Sequence, residues 1–420
     1  MQRSPILVLH YSELWLKGCN KPYFLKQLRK AVERTLDGLP LSFAVHVDGR
    51  MVIEAESEQA AQAAGERLAR TPGIQYIGRG FRSDADLDSI VALGAELMRG
   101  GEYESFRVRA RRSFKQLPVR SAEVERALGA RILEEAREDG RNPRVDLKSA
   151  AATCWVEATP RGAFVYTDKI RGLGGLPTNT AGRLLCLLSG GIDSAVAAFK
   201  MLRRGVRVDF IHFYGAPARP GEDSPPIARD IVRTLTLYQG VSRLFLVPFD
   251  ALQRQIVANA PDEFRLLLYR RMMLRIAERV ARGNKCRGTI TGDAVAQVAS
   301  QTLRNMEAVS AVSTMPLYRP LCGDDKEEIV ALARKIGTYD ISTEPFTDCC
   351  PLYMPRNPRV SSRIHELDEA EAGLDISAMS EQAIATLLRE VYEFRQGEVR
   401  LKSVKQYVGK TNVAEEALAG

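Results

Sequence analysis

Between residues 184 and 336, short apolar runs alternate with amphipathic stretches, and this rhythm restricts the fold more than any other feature of the chain. The spacing predicts strands over 184–188, 206–213, 244–248 and 288–291, and an extended piece over 315–321. Helices are expected over 193–204, 226–238, 264–282, 297–308 and 325–336. Apolar strands that each feed a helix describe an open parallel sheet covered on both faces. Ligands of such sheets bind beyond the carboxyl ends of the strands. One of those ends reads LLSGGIDSAVAA, over 187–198. Two adjacent glycines let the backbone turn sharply and approach a ligand, and the amides of the turn and of the following helix suit a phosphate. Asp193 and Ser194 are the N-cap candidates. A plain strand-turn-helix connection accounts equally well for the SGG triplet alone. No Gly-Lys-Ser/Thr follows the glycines, so this is not a Walker loop.

At 420 residues the chain is expected to hold two or three domains. Residues 1–60 read as a small α+β unit, with a hairpin around Asp48-Gly49, and 61–168 as a second unit. A glycine-rich linker over 169–183 leads to the parallel-sheet domain over 184–397, helical and charged at its end, and then to a polar tail over 398–420. Within the second unit, 105–120 reads SFRVRARRSFKQLPVR, with Arg107, Arg109 and Arg111 on one face of a strand and Arg112, Lys115 and Arg120 nearby. No acid interrupts the stretch, which favours a phosphate backbone over a merely solvated strand face. The net charge of +8 points the same way. No membrane span or signal core is present, so a cytoplasmic protein with seven reduced cysteines is expected. These form no C-x-x-C pair, which argues against a zinc ribbon and against a thioredoxin motif; no metal site is expected. Cys186 and Cys154 read as core residues, and Cys19, Cys286 and Cys322 have no motif around them.

The SGGxDS string after a buried strand resembles the PP-loop of ATP pyrophosphatases. With FRVRARRSFKQLP, VYTDKIRGLGGLP, LYRRMMLRIAE, TGDAVAQVASQTL, RPLCGDDKEEIVALARKIGTYDIS and FTDCCPLYMPRNP in that order, about residues 5 to 360 resemble the tRNA 4-thiouridine synthetases, or tRNA sulfurtransferases. The opening HYSELWLKGCN is similar to that family's RYGEIxLKGxN. The resemblance implies an N-terminal ferredoxin-like α+β unit, a THUMP RNA-binding domain and an adenine-nucleotide α-hydrolase-like parallel sheet. It implies adenylation of the C4 oxygen of a tRNA uridine, in the family the one at position 8, followed by sulfur transfer from a cysteine persulfide. Ser189, Gly190, Gly191 and Ser194 would cradle the pyrophosphate, with Asp193 serving adenylation through magnesium or water. Family matches place adenine and ribose against Leu187, Leu188, His212, Phe213, Arg270, Gly292 and Gln301, with Arg270 as the cation for phosphate. Cys350 matches the family's sulfur-bearing cysteine and Cys349 is its rival, with Arg356 and Arg359 as cations near them in sequence. The family writes TGE where this chain has Thr291-Gly292-Asp293.

Longer members carry a rhodanese domain. About 60 residues follow Pro358 here, too few for one, so a partner cysteine desulfurase is the expected sulfur donor. tRNA is the expected partner and ATP, with magnesium, the expected cofactor; a homodimer is compatible with the sequence. Two other readings compete: a PP-loop enzyme adenylating another acceptor, and a tRNA-binding protein with a relic nucleotide domain. A THUMP methyltransferase is disfavoured by the lack of a G-x-G-x-G loop after a strand.

Overall fold

A computed structural model describes residues 3–11, 13–47, 50–117, 119–215, 226–344 and 358–407. The chain divides into two compact units, 1–175 and 176–420.

In the first unit β1 (Ile6–His10) leads through a 3-10 helix (Glu13–Asn20) to α1 (Lys21–Thr35). Then come β2 (Leu41–Val47), β3 (Arg50–Ala55), α2 (Glu58–Leu68), β4 (Tyr76–Ser83), α3 (Leu87–Arg99) and β5 (Ser105–Arg112). α4 (Ser121–Glu138), β6 (Arg144–Val145), β7 (Ala152–Thr159) and β8 (Gly162–Arg171) complete it. The eight strands form one sheet in the order β2-β3-β1-β4-β8-β7-β5-β6. The boundary expected at residue 60 therefore falls inside α2, and no break in the sheet accompanies it. β1 is apolar from Ile6 to Leu9 and hydrogen-bonds on both edges, to β3 and to β4, which ties the first strands to the later ones. β8 also runs three residues into the expected linker, through Arg171. On β5 the alternation is as expected: Phe106 and Val108 are buried, while Arg107, Arg109 and Arg111 leave by the other face.

The second unit follows the βα rhythm. β9 (Arg183–Leu187), α5 (Ile192–Arg203), β10 (Arg207–Tyr214), α6 (Pro226–Gln239), β11 (Val241–Pro248) and α7 (Asp250–Asn259) precede α8 (Arg265–Gly283). β12 (Thr289–Ile290), α9 (Leu303–Ser310), β13 (Leu317–Tyr318), α10 (Lys326–Ile336) and α11 (Tyr339–Thr343) follow. The chain continues as α12 (Ile364–Ala370), α13 (Ile376–Ala385), β14 (Leu388–Arg395) and β15 (Glu398–Gln406). The sheet order is β13-β12-β9-β10-β11-β14-β15, parallel from β13 to β11. The core lies beneath α8, whose Leu268, Met272, Ile276 and Val280, spaced by four, bury one stripe against Leu185, Ile211 and Phe245.

Three expectations are corrected here. The helix expected over 297–308 is a 3-10 turn, Ala299–Gln301, followed by α9, because the Thr302 hydroxyl caps a new helix start by accepting from Asn305 N–H. The helical end of the nucleotide domain stops at Ala385. From Leu388 the chain pairs antiparallel with β11, and Glu398–Gln406, expected as polar tail, returns as the edge strand β15. Among the described residues no helix is long and apolar enough to cross a membrane.

Candidate active site

β9 is the hinge of the second sheet. It pairs with β10 on one side and with β12 on the other, so chain order reverses there and a crevice opens beyond its carboxyl end. The glycine turn fills that position. Gly190 has φ +78°, a conformation that a side chain would disfavour, and Gly191 is the N-cap of α5. Asp193 and Ser194 are therefore not the caps but the second and third helical residues. No side chain caps α5, which leaves the first amides of the helix for an anion. The Ser194 hydroxyl folds back instead, donating to Gly191 O at 3.2 Å and accepting from Ser189 N–H at 3.2 Å.

A cavity of about 540 Å³ opens here. Leu187, Ser189, Asp193, Ser194, Arg270, Gly292 and Gln301 line it, all named from the sequence. Gly292 is required by proximity: a Cβ there would stand 2.7 Å from Ser194 N. Gly190 and Gly191 shape the turn. Leu188, His212 and Phe213 stand behind it. The His212 ring bonds through Nδ1 to Leu188 O at 2.7 Å, and Phe213 packs edge-on against Phe249 in the core.

The electrostatic centre of the cavity is a residue the sequence reading passed over. Asp293 is 3% exposed and holds Arg270 through Oδ1 and Arg319 Nε through Oδ2 at 3.1 Å. Thr291 Oγ1 donates to it at 2.8 Å and Gln301 Nε2 at 3.4 Å. Burial pushes this carboxyl upward, but Arg270, the Thr291 hydroxyl and Arg319 outweigh it and hold it below the ordinary range. Two guanidiniums on one carboxylate leave a net positive wall. Arg270 also donates to Ser300 Oγ at 2.9 Å. At the lip, Asp193 pairs with Lys326 Nζ at 2.6 Å and accepts from Gln297 Nε2 at 2.8 Å. Lys326, Arg319 and Gln297 were likewise missed; position 293 alone carried a signal, as a strand-end acid in a parallel sheet.

Burial pushes the thiols of Cys154 and Cys286 up to about 12 and that of Cys186 upward as well, so all three stay protonated at neutral pH. Cys349, Cys350 and Arg356 lie outside the described residues. Arg359 is already paired, with Glu263 and Glu366 at 3.3 Å each.

In the first unit a cleft of about 820 Å³ is lined by Arg107, Arg109, Arg111, Lys169, Tyr76 and Trp155 among others. Lys169 Nζ sits 3.9 Å from the Tyr76 ring centroid. Desolvation, then Arg111, lowers the pKa of this amine. Arg107 and Arg109 also clamp a loop, donating to Lys148 O at 3.0 Å and Leu147 O at 2.8 Å respectively. Among the described residues Arg111 has no ion-pair partner. Arg112 and Lys115 do not line the cleft.

Family models agree with this layout: a ThiI ferredoxin-like domain over residues 6–78, a THUMP domain over 85–168, and the model described as thiamine biosynthesis protein (ThiI) over 179–376. The chain is 40% identical over 385 residues to a probable tRNA sulfurtransferase of Thermus thermophilus, covering 92% of each protein. To its counterpart in Moorella thermoacetica it is 36% identical over 381 residues, covering 91% of this chain and 96% of that one. A 4-thiouridine synthetase crystallised with RNA and bound ATP superposes with a TM-score of 0.82 at 33% identity, over 93% of this chain and all of the other (100%). Identity of 40% over nine-tenths of both proteins, together with a family model that takes in the glycine-turn crevice, shows one group: the chain belongs to the tRNA sulfurtransferase family.

Proposed function

We propose that this protein makes 4-thiouridine in tRNA, at the uridine of position 8, in two steps. The uracil C4 oxygen attacks the α-phosphorus of ATP, the bond to the β-phosphate oxygen breaks, N3 loses its proton and pyrophosphate leaves. The open amides of α5, the glycine turn, Lys326 and the Arg270–Arg319 pair meet the charge that grows on the leaving group. The terminal sulfur of a persulfide on Cys350 then attacks C4, the C4–O bond breaks and AMP departs. Cys349 attacks Cys350 Sγ, leaving the sulfur on C4, and the resulting disulfide takes two electrons and two protons from an external dithiol. A cysteine desulfurase recharges Cys350.

Of the two carboxylates lining this cavity, Asp293 is held by two arginines and Asp193, at the lip, by Lys326, so magnesium arriving with ATP would take Asp193 in exchange for that lysine. Asp193 would share it with phosphate oxygens, and its charge would ease pyrophosphate departure. The basic cleft with Arg107, Arg109, Arg111 and Lys169 would hold the RNA backbone. Arg112 and Lys115 would add charge outside the cleft.

The observation that carries this reading is the crevice at the β9 switch point, where turn amides, two guanidiniums and Asp193 converge in a chain of this family. The experiment measures AMP release and 4-thiouridine in the same tRNA samples. Cys350→Ser is expected to abolish thiolation while AMP still forms, Cys349→Ser to reduce it, and Asp193→Ala to stop AMP formation itself. Equal activity in the two cysteine variants would refute the assignment.

A further inference from the structure

Six neighbouring strands of the second sheet bring one cation each to a single face. Arg183 of β9 is the register partner of Arg207 on β10, and Asp209 follows two residues on, on the same side. Asp209 lies 3.6 Å from Arg183 Nε and 3.8 Å from Nη1 of Arg243 on β11. Arg389 of β14 stands opposite Phe245 of β11 on one edge and Lys405 of β15 on the other. Arg287, whose N–H donates to Arg183 O at 2.8 Å, extends the row ahead of β12. The stripe crosses β12-β9-β10-β11-β14-β15 obliquely, and five strand spacings make it about 24 Å wide.

Little neutralises it. Among the described residues Asp209 is the one acid paired with the row, and it reaches only Arg183 and Arg243; Arg207, Arg287, Arg389 and Lys405 form no ion pair. Asp209 is 0% exposed, and burial pushes its carboxyl upward despite the three arginines around it. Its distances to them are too long for hydrogen bonds. Both its oxygens, and Nε of Arg207 and of Arg389, are buried without a hydrogen-bond partner among the described residues. Donors desolvated without acceptors are costly, and like charges directly opposite each other, as at Arg389 and Lys405, destabilise a ladder. Phosphate oxygens bring both the acceptors and the negative charge. A stripe of this width is far longer than one phosphate and matches a chain of them.

We propose that this stripe is a second RNA-binding surface, which takes the phosphate backbone of the substrate tRNA in addition to the cleft on β5. The inference rests on tRNA as the substrate and adds a contact that positions the RNA without reading its sequence.

The test measures affinity of the full chain for a tRNA transcript over a range of salt concentrations. Replacing Arg287, Arg389 and Lys405 together by alanine should weaken binding about tenfold or more and lower the slope of log affinity against log salt by up to about 2.5, at about 0.7–0.9 per lost contact. None of the three lines the nucleotide cavity, so AMP release at saturating tRNA should match the wild type while the KM for tRNA rises. Arg287→Lys with Arg389→Lys keeps the charge and should keep the slope. If Arg389→Ala does not fold, Arg287→Ala with Lys405→Ala, both at exposed positions, carries the test with a slope change of up to about 1.8. An unchanged slope would overturn the proposal. So would loss of inorganic phosphate or pyrophosphate binding in the triple variant with RNA binding intact, which makes the stripe a small-anion site. Unaltered RNA affinity with slower sulfur delivery by a desulfurase would overturn it too, in favour of an acidic protein surface. A wild type that binds tRNA through the stripe yet never thiolates it would instead sink the proposed reaction and leave this surface standing.

Discussion

At the scale of single residues, Asp293 decides the character of the site. A lone arginine near phosphate would suffice for charge, but Arg270 and Arg319 are both tied to this one buried carboxylate, which sets their positions before ATP arrives. Its pKa is lowered in the fold, so its contribution to stability is complete at neutral pH. That contribution is lost only as pH falls from the ordinary carboxylate range through the depressed value. Removing one partner of a buried ion pair costs about 3–5 kcal/mol. Asp293→Ala is therefore expected to lower the Tm in calorimetry and to weaken ATP binding at least tenfold in a titration. Unchanged ATP affinity would show that the arginines hold their places without it. The sequence marked position 293 only as a shorter acid where the family has Glu; its partners lie 23 and 26 residues away, beyond any local pattern.

At the scale of elements, the glycine turn works because a second loop presses against it. Gly292, after β12, has no room for a methyl group: the obstructing atoms are backbone, Ser194 N at 2.7 Å and Asp193 C at 2.8 Å. Gly292→Ala must push the loop or the first turn of α5 out of place. We expect ATP affinity to fall more than tenfold, which is about 1.4 kcal/mol, whereas Gly323→Ala, with nothing within 4 Å, serves as the neutral control. If both variants bind ATP alike, the close approach is not required. Element boundaries were legible where periodicity was clean, as in α8 and β9. They failed at β14, where the inward set is Glu390, Tyr392 and Phe394. A buried carboxylate paired with Arg229 at 2.9 Å hides the apolar alternation.

At the scale of the whole molecule, the chain forms two compact units, each legible from a different kind of signal. The basic strand β5 was visible because its charges are unneutralised and evenly spaced. Replacing Arg109 and Arg111 together by alanine should weaken tRNA binding and lower the slope of log affinity against log salt by up to about 2, at about 0.7–0.9 per lost phosphate contact. An unchanged slope would mean that these guanidiniums do not touch phosphate. Arg107 is the poorer probe, since it also holds Lys148 O and Thr153 Oγ1. By itself the sequence determined what depends on near neighbours: the order of strands and helices in the parallel sheet, the sharp turn at Gly190-Gly191 and the one-faced row of arginines. Only the tertiary structure decided strand order, and with it everything that meets across the switch point. β9 could pair with β12 only after about a hundred residues had intervened, and that pairing brings Gly292 onto Ser194, Asp293 under Arg270 and Lys326 against Asp193. Local patterns state which face of a strand is buried, not which strand lies beside it, because pairing is settled by burial and hydrogen bonding summed over the whole sheet.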